Sequence, residues 1–142
     1  MATVAPGAPP AWFRIVALIA VAWNAFGVFM YLHSVGVFGD PMADLTPGQR
    51  AAAESIPAFI TGAFAVGTFA GLGGSLGLLL GRRWAWPLLL VSLVALLMLE
   101  GWIVFVSGYR NDFGLGIPIA VSLGALLLAW LATLARKRGW LT

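Results

Sequence analysis

Four long stretches of the chain, at about residues 12–34, 56–80, 84–107 and 115–135, are apolar almost throughout. Arg14 near the start of the first and Glu100 inside the third are their only Asp, Glu, Lys or Arg residues. At a rise of about 1.5 Å per residue, each stretch is long enough as a helix to cross a hydrocarbon core about 30 Å thick. The pattern predicts an all-α fold: an integral membrane bundle of four transmembrane helices occupying residues 12–135.

The segments between the runs are short and differ in character. Residues 1–11, MATVAPGAPPA, mix Pro, Gly and Ala without periodicity and read as a flexible arm. A secretory signal competes for the first run, because Ala20-Val21-Ala22 gives an A-x-A-like site. The apolar character continues through Tyr31, past the end of a signal h-region, so the segment reads as a membrane span. Residues 35–55 form the one substantial loop. Within it Thr46, Pro47 and Gln49 predict a short helix, with Thr46 as N-cap, Pro47 at the first helical position and Gln49 completing a capping box. Pro57 fits the first turn of the second span, where its missing amide has no partner to lose. Gly81-Arg82-Arg83 is a tight reversal, GYRNDFG is a polar turn, and residues 136–142 form a basic tail.

Composition sharpens this picture. The chain is 61% hydrophobic and 9% charged, against about 25% charged in a typical soluble domain, so most of its surface must face lipid. The net charge of +3 comes from residues beside the apolar runs, with no basic patch interleaved with exposed aromatics, and this argues against nucleic acid as a partner. Arg14, Arg82, Arg83, Arg136, Lys137 and Arg138 fall on one side of the four-span topology with no acid among them. Arg50 and Arg110 share the other side with Asp40, Asp44, Glu54 and Asp112. The positive-inside rule then predicts both termini and the Arg82-Arg83 turn in the cytoplasm. Aromatic belts agree, with Trp12, Trp84, Trp86 and Trp140 at the inner interface and Tyr31, Tyr109 and Phe113 near the outer one.

There is no cysteine, which excludes disulfides, thiol redox chemistry and Cys-ligated clusters or zinc. His33 is the single histidine, so one copy of the chain cannot form a paired-histidine site. It stands near Asp40 and Asp44, a grouping that suits pH sensing or weak metal binding, but an interfacial histidine is the plainer reading, and no metal or other cofactor is expected. No phosphate-binding loop, nucleophile elbow or dinucleotide fingerprint occurs, and the run Gly71-Leu72-Gly73-Gly74 follows no strand. An enzyme is the least supported class.

Small residues mark the second span as the packing element. Ala63, Gly67 and Gly71 recur every four positions, as do Gly73, Gly77 and Gly81, and such stripes let backbones approach closely in lipid. Thr61, Thr68 and Ser75 repeat every seven residues and can hydrogen-bond across a close pair. The partner helix, in this chain or another, is open at this stage. Glu100 is the one ionisable side chain well inside a span. A charged acid at mid-helix costs about 2.5 to 3.5 kcal/mol on insertion scales, so it should be protonated, paired or facing a wet cavity. Counting from the outer helix ends puts Glu100 and Ser122 about 10 Å deep and Asn24 about 15 Å deep. Together with Thr61, Thr68 and Trp23 they form a candidate polar cluster, read either as a proton- or cation-coupled solute site or as interhelical glue.

Two strings, WFRIVALIAVAWNAFGVFMYL and LGGSLGLLLGRRWAWPLLLVSLVALL, with Trp23-Asn24, Gly74-Ser75-Leu76 and the Arg82-Arg83-Trp84-Ala85 turn leading to Pro87, resemble a family of small bacterial four-span membrane proteins. Some of its members are labelled sugar transporters. The resemblance implies a bacterial inner-membrane protein and carries over no catalytic or binding residue. Small multidrug transporters are similar in size but place their acid in the first span, which here has none. The sequence therefore leads to a non-enzymatic inner-membrane protein acting through helix packing, as a homo-oligomer or as a subunit of a larger membrane complex. The alternative is a small-solute or proton-coupled transporter that uses Glu100, its solute unknown.

Overall fold

The computed structural model describes residues 8–106, 110–111 and 114–142. Readings that rest on the first seven residues of the arm, or on Ser107, Tyr109, Asp112 and Phe113, lie outside these. The described chain is all-helical: α1 (Ala11–Ser34), α2 (Pro47–Glu54), α3 (Ala58–Leu79), α4 (Ala85–Gly101, continuing as a π-helical stretch, Trp102–Val106) and α5 (Gly116–Lys137). Four of these, with α4 counted to Val106, are long and apolar enough to span a membrane.

Local chemistry explains where the helices start and stop. Pro10 and Pro57 stand as N-caps of α1 and α3 in extended backbone, so Pro57 lies one position outside the turn expected for it. The capping box of α2 is present. Thr46 Oγ1 accepts from the Gln49 amide at 3.3 Å, and Gln49 Oε1 accepts from the Thr46 amide at 3.1 Å. Helices α1, α3 and α5 all end in the same way, on a left-handed glycine: Gly36 (φ 81), Gly81 (φ 65) and Gly139 (φ 70). In each case the amide of the residue after the glycine bonds a carbonyl five residues back. The pairs are Val37 to Leu32 (3.0 Å), Arg82 to Gly77 (2.7 Å) and Trp140 to Ala135 (2.9 Å). A positive φ costs glycine little, and the Schellman geometry satisfies carbonyls that would otherwise be bare at the helix end.

Helices α3 and α4 form a close antiparallel hairpin; α1 packs on α3, and α5 packs on α4. The start of α1, the α3–α4 turn and the residues after α5 meet at one end of the bundle. There Trp140 lies edge-on to Trp12 and Phe13, with ring centroids 5.9 and 5.1 Å away. The Thr142 amide donates to the Gly81 carbonyl at 2.7 Å, and the Arg83 amide to the Thr142 carbonyl at 3.2 Å. We call this the basic end and the opposite one the loop end. Beneath the basic end all four long helices supply the apolar core, with Phe13, Ala17, Leu78, Ala85, Leu131 and Ala135 fully or almost fully buried. A second cluster toward the loop end gathers Ile60, Leu96, Leu99 and Ala125. Large apolar side chains such as Ile19, Phe59, Val94 and Leu123 are more than half exposed, which is the surface a bilayer would cover.

Candidate functional site

The centre of the bundle is built on the absence of side chains along α3. Because the hairpin turns at Gly81–Arg83, residues equally far from the turn face each other. A Cβ added at Gly77 would meet Ala85 Cβ at 2.8 Å, one at Gly74 would meet Leu89 Cγ at 2.5 Å, and one at Gly67 would meet Leu96 Cγ at 2.8 Å. At Gly71 it would overlap Asn24 Oδ1 from α1 and lie 3.0 Å from Ser92 Oγ of α4. Gly71 is therefore where three helices come closest around polar groups, and the partner of the glycine stripe belongs to the same chain.

These polar groups bond to one another and to the backbone. Asn24 Nδ2 donates to the Ala20 carbonyl at 2.9 Å and to Ser75 Oγ at 3.0 Å, tying α1 to α3. Ser92 Oγ donates to the Gly67 carbonyl at 2.6 Å, tying α4 to α3. Thr68 Oγ1 donates back to the Phe64 carbonyl at 3.0 Å, while its methyl group meets Gly27 of α1. Asn24, Thr68, Ser75 and Ser92 are all buried. Interhelical hydrogen bonds of this kind contribute about 0.6 kcal/mol each on average in membranes, and the bonded set fixes how α1, α3 and α4 pack against one another.

Glu100 lies apart from this set. It is eight residues beyond Ser92 on α4, about 12 Å along the axis, and the hairpin register sets it level with Ala63. Its residue is 7% exposed, and its Oε2 is buried with no hydrogen-bond partner among the described residues. Its neighbours on α4, Leu96, Leu99 and Ile103, belong to the apolar loop-end cluster. Depth counting places Asn24 only about 5 Å deeper than Glu100, because it takes the helix ends to lie at equal heights. Continuing the Gly27–Thr68 and Asn24–Gly71 pairings brings Ser34 level with residue 61 of α3, whereas α4 runs about one turn further.

The other expected members of the cluster do not join it. Trp23 is 48% exposed, with its ring nitrogen beside Gly124 rather than on Asn24. Ser122 and Thr61 are half-buried, and neither bonds to Asn24 or Glu100. Of the packing glycines, Gly67, Gly71 and Gly77 line the α3–α4 contact, and Gly73 faces Leu88 at 3.2 Å. Gly81 is the left-handed cap of α3, set against the Trp140 carbonyl. Sequence reasoning missed Ser92, although it stands as far from the turn as Gly71. An open apolar groove of about 470 Å³ runs along the outside of the hairpin past Gly62, Val66, Val94 and Met98, and it includes neither Glu100 nor Asn24.

At the basic end, Arg14, Arg82, Arg83, Arg136, Lys137 and Arg138 are all exposed. The Arg136 guanidinium stacks 4.1 Å from the Trp86 ring centroid, and Trp86 Nε1 donates to Thr133 Oγ1 at 3.2 Å. At the loop end, Arg110 Nη1 donates to the Val104 carbonyl at 3.0 Å, on the π-helical stretch that follows Glu100. His33 is exposed, and among the described residues no three His, Asp or Glu side chains gather as they would around a metal ion. No known family, curated protein or solved structure matches the chain.

Proposed function

We propose that this is a small non-enzymatic protein of the bacterial inner membrane that acts through helix packing, as a homo-oligomer or an accessory subunit of a larger membrane complex, with both termini in the cytoplasm. The observation that carries the reading is the filled centre of the bundle, where Gly71, Asn24, Ser75 and Ser92 lock three helices together with their polar groups bonded to protein. Such a centre suits a rigid body that presents an outer surface. The one-sided distribution of six basic residues supports the orientation.

Two measurements test this. In mild detergent, the protein is expected to purify as a stable multimer or with a stoichiometric companion; a lone monomer at all concentrations would sink the packing role. Since the chain has no cysteine, single cysteines report topology cleanly. In intact cells Asp44→Cys should react with a membrane-impermeant maleimide and Lys137→Cys should react only after lysis. The reverse pattern would invert the orientation.

A second reading is favoured by one observation, the buried unpartnered oxygen of Glu100. An ionisable group inside a span is a functional candidate by default, and a proton-coupled transporter of a small solute, which needs a dimer because four spans are too few for a pathway, would use it. Solute and proton flux in proteoliposomes that disappears in Glu100→Gln would establish this reading over the first.

A further inference from the structure

We propose that the basic end holds the phosphate of an anionic phospholipid headgroup, in the open cleft between the start of α1, the α3–α4 turn and the residues after α5, with Arg14 as its cation. The cavity has a volume of about 290 Å³ and is lined by Pro9, Arg14, Leu80, Gly81, Trp140 and Thr142. Its wall brings together a basic residue, Arg14, the turn residue Gly81 and the apolar residues Leu79 and Leu80.

This mixture is what the boundary between headgroup and acyl chain requires. Arg14 stands one turn into a membrane-spanning helix and is exposed. From there its apolar stem can follow the hydrocarbon edge while the guanidinium reaches the phosphate layer, offering the planar donor fork that suits phosphate oxygens. Beside it, Trp12 and Leu80 are 48% and 65% exposed. These surfaces have no role for a free phosphate ion, but they would contact the glycerol and first methylenes of a lipid, so the occupant is the lipid.

The surroundings reinforce the choice. Arg82, Arg83, Arg136, Lys137 and Arg138 share this end, and no Asp or Glu side chain lies in the segments that form it; the one acidic group there is the main-chain carboxylate of Thr142, which accepts from the Arg83 amide. The stacking of Arg136 on Trp86 engages that guanidinium with the protein, whereas Arg14 is exposed and lines the cavity. The five other cations draw anionic headgroups to the surface in general; Arg14 alone among the six lines the cavity. A binding site and a diffuse field thus make different demands on the same unit of charge.

The test uses the full chain in bilayers of phosphatidylglycerol and phosphatidylcholine, reading lipid retained after extraction by native mass spectrometry. Wild type should retain phosphatidylglycerol selectively. Removing one cation of a diffuse field should weaken retention about fivefold, the effect expected for Lys137→Gln, while Arg14→Gln should weaken it by more than about tenfold. Arg14→Lys, which keeps the charge without the fork, should fall between them, and the helical signal of each variant shows that it is folded. Equal losses for Arg14→Gln and Lys137→Gln, or no selectivity in wild type, would overturn the site. Displacement of the lipid by millimolar inorganic phosphate would overturn the lipid as its occupant.

Discussion

Gly71→Ala should be among the most damaging single-methyl additions anywhere in the bundle, lowering stability by about 2 kcal/mol, as overpacking of a tight interior does. The new methyl would occupy the place of Asn24 Oδ1 and stand 3.0 Å from Ser92 Oγ. Neither neighbour can retreat freely, because Asn24 bonds Ala20 and Ser75 and Ser92 bonds the Gly67 carbonyl. The intrinsic gain of alanine over glycine in a helix, up to about 1 kcal/mol, works in the opposite direction. Gly62→Ala isolates that gain, since nothing lies within 4 Å of the added group there, and it should leave stability unchanged or slightly raised. Thermal unfolding in detergent, followed by circular dichroism, compares the two. The cause is checked by Asn24→Ala, which removes the overlapped oxygen: in that background Gly71→Ala should cost clearly less. Equal costs with and without Asn24 would mean that the three-helix junction is not what Gly71 serves.

Much of this junction could be read in advance, for a physical reason. In lipid, small residues are the means by which helices approach, so the Gly67, Gly71 and Gly77 stripe marked a close contact before its partner was known. The tight turn at Gly81–Arg83 then determined the partner, because a hairpin forces residues at equal distance from the turn together. That rule would also have found Ser92 opposite Gly71. The four spans and the capping box at Thr46 were legible because hydropathy and cap chemistry act locally.

The polar cluster was legible only in part. Asn24 and Thr68 belong to it, whereas depth alone groups Glu100, Ser122 and Thr61 with them, and adjacency to Asn24 adds Trp23. Depth along a helix says nothing about the face a residue occupies, and it depends on where each helix ends. Helix α4 extends about a turn past α1 at the loop end, and that difference separates Glu100 from Asn24. That Glu100 Oε2 has no partner among the described residues could not be read at all, since it depends on side chains from other helices. The lipid cavity was likewise hidden, because three segments distant in sequence meet to form it.

Glu100→Leu is expected to stabilise the protein by about 1 to 3 kcal/mol, the usual cost of a buried polar atom without a partner. The side chains are similar in size, and the α4 neighbours Leu96, Leu99 and Ile103 already belong to an apolar cluster with Ile60 and Phe64. Glu100→Gln should change little, within about 1 kcal/mol, because it exchanges one unpaired polar group for another. Unfolding in detergent followed for all three forms tests this, and the sign for Glu100→Leu decides. A rise means that the carboxyl is kept against the interest of the fold, the trade expected where a residue serves activity. Flux should then be lost in both variants, while assembly persists. A fall means instead that the carboxyl bonds to something outside the described residues, and a second copy or a companion subunit is the case that assembly can report. Assembly should then weaken together with stability, which would bind Glu100 to the packing role.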